Sequence, residues 1–164
     1  MAGIREMAID FRELDRLLDT LTDDRQVRSV YDKAVGEGAR VLVNNLKAAT
    51  PKGATGNLRR SVGQVTSAKA RSRYGRNSRR GVVRIVGFRA LRGGGNTEKG
   101  FHAHLIEDGT VERQTKAGRS TGRVAARNFA FPVLNFSRNM IQLRVLERAR
   151  AEIARLVEKA RNTS

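Results

Sequence analysis

The chain lacks several residue types on which common protein classes depend. None of its 164 residues is cysteine, which excludes disulfide bonds and thiolate metal sites. It has no tryptophan, and only 5% of its residues are aromatic, so a core must be built mainly from Val, Leu, Ile and Ala. No stretch approaches the roughly 20 apolar residues of a membrane span, and no apolar run marks a signal peptide. We therefore expect a soluble protein on the cytoplasmic side.

Acidic residues are scarce in the middle of the chain. From Lys52 to Arg127 there are 18 Lys or Arg residues and only 4 Asp or Glu residues. Residues 1–51 hold 8 basic and 9 acidic residues, and residues 128–164 hold 7 and 3. Nearly all of the net charge of +17 is therefore central. This asymmetry favours a polyanion, most simply nucleic acid, or an acidic protein surface as the partner.

Hydrophobic spacing predicts helices at the N-terminal side of this basic region. Residues 4–21 carry apolar side chains at helical spacing and predict an amphipathic helix. Thr22-Asp23-Asp24 breaks this pattern and offers N-cap oxygens for a second helix, which is predicted to run to about Ala49. Thr50-Pro51 ends it because a residue before proline disfavours helical geometry. Gly36 and Gly38 within it permit a kink or a close helix contact.

The remaining pattern predicts short strands and one further long helix. Residues 61–66 and 81–88 alternate as strands do, and residues 101–107 are short enough for a single helical turn or two. Pro132 suits the first turn of a helix that continues to about Ala160.

These elements predict a single α+β domain over residues 1–164, with long N-terminal and C-terminal helices packed on a small, mostly antiparallel sheet. Helices occupy residues 1–50 and a C-terminal helix occupies residues 129–164. Residues 51–128 form a basic, β-rich region with long loops at about 68–80 and 111–128. We expect both loops to be mobile in the isolated chain.

Two segments carry a resemblance to a known family. Residues 51–61 read P-K-G-A-T-G-N-L-R-R-S after a long helix, and residues 102–110 read H-A-H-L-I-E-D-G-T, followed by F-A-F-P at 129–132. Their order and spacing resemble the tail-completion or head–tail joining family of tailed bacteriophages, with His102 where the family has tyrosine. The resemblance identifies ten motif positions: Pro51, Thr55, Gly56, Leu58, Ser61, Glu107, Gly109, Thr110, Phe131 and Pro132.

The resemblance implies a structural virion protein with no enzymatic activity, metal or cofactor. Several copies would form a ring in the neck or at the head-proximal tail end, joining head to tail around the DNA channel. The implied partners are head-side connector or portal-adaptor proteins, tail terminator or tail-tube proteins, and non-specifically contacted genomic double-stranded DNA. Assembly would take place in the host bacterial cytoplasm, without a membrane partner.

The arginine-rich loops are either simply solvated, as charge runs usually are, or they contact DNA in the channel or an acidic partner. The central charge supports a free-standing, sequence-independent nucleic-acid-binding protein equally well, and oligomerisation distinguishes the two functions. The candidate contact residues are Arg71, Arg73, Arg76, Arg79, Arg80, Arg113, Lys116, Arg119, Arg123 and Arg127.

Thr55-Gly56-Asn57 reads as a turn, because glycine adopts a positive φ that other residues resist. Leu58 would then be a core anchor and Ser61 the first residue of a strand. Either the turn only connects helix and strand, or it presents Arg59 and Arg60 to a subunit or DNA. Its glycine spacing does not match a phosphate-binding loop.

Two further groups allow more than one interpretation. His102, His104 and Glu107 could serve a metal-dependent nuclease, but 102 and 104 do not share a helix face, which favours Glu107 as a cap or an arginine partner. The aromatic residues near the C-terminal helix are either core anchors or interface anchors: Phe129, Phe131 and Phe136.

Overall fold

The computed structural model describes Arg12 and residues 23–65, 82–88, 100 and 102–162, apart from the side chains of residues 65 and 113. The elements within this part are, in chain order, α1 (Asp24–Ala49), α2 (Asn57–Ser61), β1 (Val62–Val65), β2 (Ile85–Phe88), α3 (Ala103–Glu107), β3 (Arg113–Gln114), β4 (Ser120–Gly122) and α4 (Ala130–Arg161). This is the predicted α+β class, with two long helices and small sheets. The helix predicted over residues 4–21 lies outside the described residues except for Arg12, which is helical.

The chain divides into two compact units through which both long helices pass. Among the described residues, the first unit holds those within 44–63 and 87–136, and the second holds those within 12–43, 64–86 and 137–162. Strand β1 pairs with β2, and β3 pairs antiparallel with β4. The expectation of one folding domain stays a prediction.

Helix α1 has capping interactions at both ends. The Asp23 carboxylate accepts a hydrogen bond from the backbone N–H of Arg25 at 2.8 Å, which satisfies one of the free donors of the first turn. At the other end, both the backbone N–H and the hydroxyl of Thr50 donate to the Leu46 carbonyl. Pro51 follows directly, so the helix ends where the sequence predicts.

The core of the second unit lies between α1 and α4. Val30 and Ala34 of α1 pack with Ile141, Val145 and Ala149 of α4, at the spacing that the sequence indicates. These five side chains are almost entirely removed from water.

The two helices of this unit approach each other closely at Gly38. A Cβ atom at this position would lie 2.6 Å from Val145 Cγ2, closer than packed atoms tolerate, and 3.0 Å from Ile141 Cγ2, a tight contact. Of the kink and the close helix contact that the sequence permits at the two glycines, the structure shows the close contact at Gly38. Gly36 has more room, because a Cβ there would lie 3.4 Å from the Arg84 guanidinium.

Glu152 is a buried charge on α4, with only 6% of its surface exposed. Its carboxylate contacts Lys33 of α1 at 2.7 Å, Arg148 at 2.7 Å and Arg155 at 3.2 Å. The pKa of Glu152 is lowered, and the hydrogen bond from Lys33 is the main cause. The positive charges of Lys33, Arg148 and Arg155 also lower this pKa, whereas desolvation by burial raises it. Neither the burial of Glu152 nor its contact with Lys33, 119 residues away, leaves a local pattern in the sequence.

The structure corrects several predicted boundaries. Ser61 is the last residue of α2 and not the first of a strand, because its hydroxyl donates to the Leu58 carbonyl at 2.6 Å and the extended backbone begins at Val62. Helix α4 begins at Ala130 rather than at Pro132, which still falls in the first turn, where proline is tolerated.

Candidate functional site

A carboxylate in the first unit holds the start of α4. Glu107, at the end of α3, accepts hydrogen bonds from the backbone N–H groups of Phe129 at 3.0 Å and Ala130 at 3.1 Å. Ala130 is the first residue of α4 and Phe129 directly precedes it, so neither N–H group has an acceptor within the helix. Of the roles that the sequence leaves open for Glu107, the structure shows a helix cap, on α4 rather than on its own helix.

The segment before α4 is tied along its length to the residues around α3. The N–H groups of Arg127 and Asn128 donate to the carbonyls of Ile106 and Glu107 at 3.0 and 3.1 Å. Thr110 and Val124 exchange two more hydrogen bonds, N–H to carbonyl and N–H to hydroxyl, at 2.9 Å each. The segment that follows Thr110 therefore folds back, and Val124 lies beside Thr110.

Gly109 makes this close return possible. Its φ is +76°, and a Cβ there would lie 2.8 Å from the backbone nitrogen of Ala126. A side chain would both strain the turn and push the returning segment away.

Between Thr110 and Val124 lies a short hairpin that the sequence presents only as a polar loop. Arg113 pairs with Gly122, and Gln114 pairs with Ser120 across an irregular register. Every residue of this hairpin whose side chain is described is exposed. Because each strand pairs through so few residues, the sequence shows no alternation of apolar and polar residues that would predict the hairpin. The expected mobility of this segment stays a prediction.

The predicted turn before α2 is present and is held by side-chain hydrogen bonds. Gly56 has a φ of +63°, and its N–H donates to the Gly53 carbonyl at 3.0 Å. The Arg60 guanidinium reaches back to the Thr55 carbonyl at 2.7 Å and to the Asn57 amide oxygen at 2.5 Å. Arg60 thus supports the turn, and both Arg59 and Arg60 are exposed.

Both motif segments line one cleft of about 660 Å³ in the first unit, which we call the basic cleft. Its apolar lining comes from four residues and its positive charge from two, with no Asp or Glu in the part of the lining that the structure describes. The described lining residues are Pro51, Lys52, Gly53, Thr55, Asn57, Leu58, His102, Ile106, Val124 and Arg127. Leu58, expected as a core anchor, instead lines this cleft and is half-buried.

The three aromatic residues around the start of α4 differ in environment. Phe129 is half-buried and packs edge-to-face on Phe88, with ring centroids 5.9 Å apart. Phe131 is 40% exposed and Phe136 is 78% exposed. Core packing therefore accounts for Phe129 but not for Phe136.

The structure separates the candidate basic residues. Lys116, Arg119, Arg123 and Arg127 are exposed on the hairpin and its returning segment. The backbone of Arg113 lies in β3. The remaining candidates lie outside the described residues: Arg71, Arg73, Arg76, Arg79 and Arg80.

Within the described ranges, no group of three or more His, Cys, Asp or Glu side chains is arranged to hold a metal ion. His102 lines the basic cleft, while the Glu107 carboxylate is engaged at the start of α4. No helix in the described part of the chain is long and apolar enough to cross a membrane.

The chain combines an α+β arrangement with two motif segments that line one cleft. A family model described as "Bacteriophage HK97-gp10, putative tail-component" matches residues 12–109, which is more than half of the chain and includes most of both motifs. The chain therefore belongs to this family of phage tail components, and the predicted resemblance is confirmed. No curated protein and no solved structure matches the chain.

Proposed function

We propose that several copies of this tail component form a ring at the head-proximal end of the tail, or in the neck, where the ring joins head to tail. One observation carries the proposal. Within a family of tail components, this chain presents exposed positive charge on a hairpin whose base is fixed by backbone hydrogen bonds. The role is structural, and the partners are the head-side connector and the tail terminator or tail tube.

The basic hairpin would face either the DNA that passes through the ring or an acidic surface of an adjoining ring. Lys116, Arg119 and Arg123 are exposed and lie close together in sequence, so each copy adds positive charge at the same place. Contacts between arginine and phosphate are independent of sequence, as a DNA conduit requires. Repetition around a ring would multiply this charge.

The exposed aromatic residues of α4 would serve the protein contacts of the ring. Phe136 is 78% exposed, which is unusual for a phenylalanine unless a partner covers it. Phe131, one turn and a half earlier, is also partly exposed. Burial of these rings against a neighbouring copy or an adjoining ring would supply affinity that the charged surface alone lacks.

A complementation assay tests the joining role. Phage particles assembled without this chain should accumulate as DNA-filled heads and separate tails, and addition of the purified chain should restore joined, infectious particles. If heads and tails join at the normal rate in its absence, the proposal is wrong. Duplex DNA binding by a monomer that joins no ring would favour the free-standing nucleic-acid-binding function instead.

A further inference from the structure

The lining of the basic cleft specifies the chemistry of what can fill it. Pro51, Leu58, Ile106 and Val124 provide apolar surface, whereas Lys52 and Arg127 are the basic side chains of the described lining. A matching occupant presents apolar side chains bordered by carboxylates. The phosphodiester backbone of DNA offers the negative charge but no apolar groups, so the cleft fits a protein segment better.

The walls of the cleft come from three segments held by hydrogen bonds. Arg60 fixes the turn at Thr55, and the Arg127 N–H donates to the Ile106 carbonyl at 3.0 Å. Two lining residues, Ile106 and Arg127, are therefore tied to each other directly. A cleft with walls fixed in this way loses little conformational entropy when a ligand enters.

The sequence contains one segment with the required chemistry, residues 4–21. At about 100° per residue, the helix predicted there gathers six apolar side chains into a stripe roughly 100° wide. Acidic side chains border this stripe on both sides, and the basic side chains lie on the opposite face. The apolar stripe consists of Ile4, Met7, Phe11, Leu14, Leu18 and Leu21. The acidic residues beside it are Glu6, Asp10 and Glu13 on one side and Asp15 and Asp19 on the other. The basic residues on the opposite face are Arg5, Arg12 and Arg16.

We propose that residues 4–21 of one copy lie against the basic cleft of the next copy in the ring. A ring built from identical chains needs two different surfaces that fit each other, because its interfaces are head-to-tail. The acid-bordered apolar stripe and the basic cleft form such a pair. This inference rests on the proposed ring, and it names the contact that closes it.

Because the chain has no cysteine, disulfide trapping can test the contact without background. Gly53→Cys places a thiol in the cleft lining, where an added Cβ meets nothing within 4 Å. Ala8→Cys places the second thiol beside the apolar stripe. Tails are assembled from a mixture of the two single-cysteine chains, oxidised, and analysed on non-reducing gels, with ring formation measured separately by particle mass.

The expected result is a disulfide-linked pair that joins one Ala8→Cys chain to one Gly53→Cys chain. The control replaces Gly53→Cys with Ala151→Cys, which is exposed on α4 in the second unit and should give no linked pair. A ring of normal mass without the linked pair overturns the inference while leaving the ring standing. Absence of any ring contradicts the proposed function, and this inference falls with it.

A doubly substituted chain distinguishes contact between copies from contact within one copy. Ala8→Cys/Gly53→Cys should give a ladder of covalently linked copies in assembled tails. A fast-migrating single chain with an internal disulfide would show that the segment folds onto its own cleft, and would contradict the inference.

Charge exchange provides a second readout that simple loss of folding would not reproduce. Lys52→Glu/Arg127→Glu should reduce the yield of assembled rings about tenfold, the effect of several weak ion pairs lost together. Glu6→Lys/Asp10→Lys, added to the same chain, should recover most of that loss because it restores opposite charges. No recovery, or an equal loss from Arg28→Glu/Arg161→Glu at exposed positions elsewhere, would overturn the inference.

Discussion

The carboxylate of Glu107 accepts the backbone N–H of Ala130 through both of its oxygens, at 3.1 Å each, across 23 residues of chain. The intervening residues include the whole basic hairpin. One side chain thus fixes where the hairpin segment ends and where α4 begins. The motif glutamate therefore has a structural role at this position.

Removal of this cap should destabilise the first unit. Glu107→Ala leaves the N–H groups of Phe129 and Ala130 without their acceptor, which should cost about 1–2 kcal/mol. Hydrogen exchange at these two amides measures the effect, and both should exchange faster in the variant. Glu112→Gln, which changes an exposed carboxylate that accepts from the Ser120 hydroxyl, is the control and should leave them protected. Unchanged protection in Glu107→Ala would refute the capping role.

The close helix contact at Gly38 predicts opposite effects from two glycine substitutions. Gly38→Ala forces a methyl group against Val145 and should destabilise the chain by about 1–3 kcal/mol. In Gly36→Ala the new methyl group contacts the end of the Arg84 side chain, which can move. The higher helix propensity of alanine should therefore raise the free energy of unfolding by up to about 1 kcal/mol. Urea unfolding of both variants checks the pair. Gly38→Ala/Val145→Ala should be less destabilised than the sum of its single changes predicts.

Glu152 should make stability depend on pH in the acidic range. Because its pKa in the folded state is lowered below the ordinary value of 4.5, its contribution is complete above about pH 4.5 and is lost as the pH falls through the folded pKa. Glu152→Gln should therefore be less stable than the natural chain at pH 7, with a difference that shrinks towards low pH. Thermal unfolding between pH 2 and pH 7 measures this, with Glu158→Gln, exposed on the same helix, as the control. A difference that stays constant with pH would contradict the assignment.

Charge reversal on the hairpin should change DNA-related function without changing the fold. Lys116→Glu/Arg119→Glu changes exposed side chains, so the free energy of unfolding should change by less than about 0.5 kcal/mol. Affinity for duplex DNA, or retention of DNA in assembled particles, should fall and should lose part of its salt dependence. Arg28→Glu/Arg161→Glu makes the same charge change at exposed sites outside the hairpin. Infectious particles with normal DNA retention from the hairpin variant would exclude a DNA-contact role.

The elements with a pattern that repeats over many residues could be predicted from the sequence. The bounds of α1 follow from Asp23 and Pro51, and the buried stripe of α4 follows from Ile141, Val145 and Ala149. The close contact at Gly38 was also accessible, because glycine within a long helix needs a packing reason.

Other features depend on contacts between distant residues and leave no local pattern. The two strands of the hairpin pair through three residues or fewer each, and the short helix α2 arises from the positive φ of Gly56. The burial of Glu152 required Lys33, which is 119 residues away. The basic cleft likewise forms only when Pro51, Ile106 and Val124 meet, so its lining could not be assembled from spacing alone.

The central claim is that the chain becomes a ring subunit at the tail end, and particle mass tests it most directly. The purified chain is measured by mass photometry alone and mixed with tails from its own virus that lack it. The added mass on the tails should correspond to a fixed whole number of copies. A chain that adds no mass to the tails, or adds it in proportion to concentration without a plateau, is not a ring subunit of the tail end.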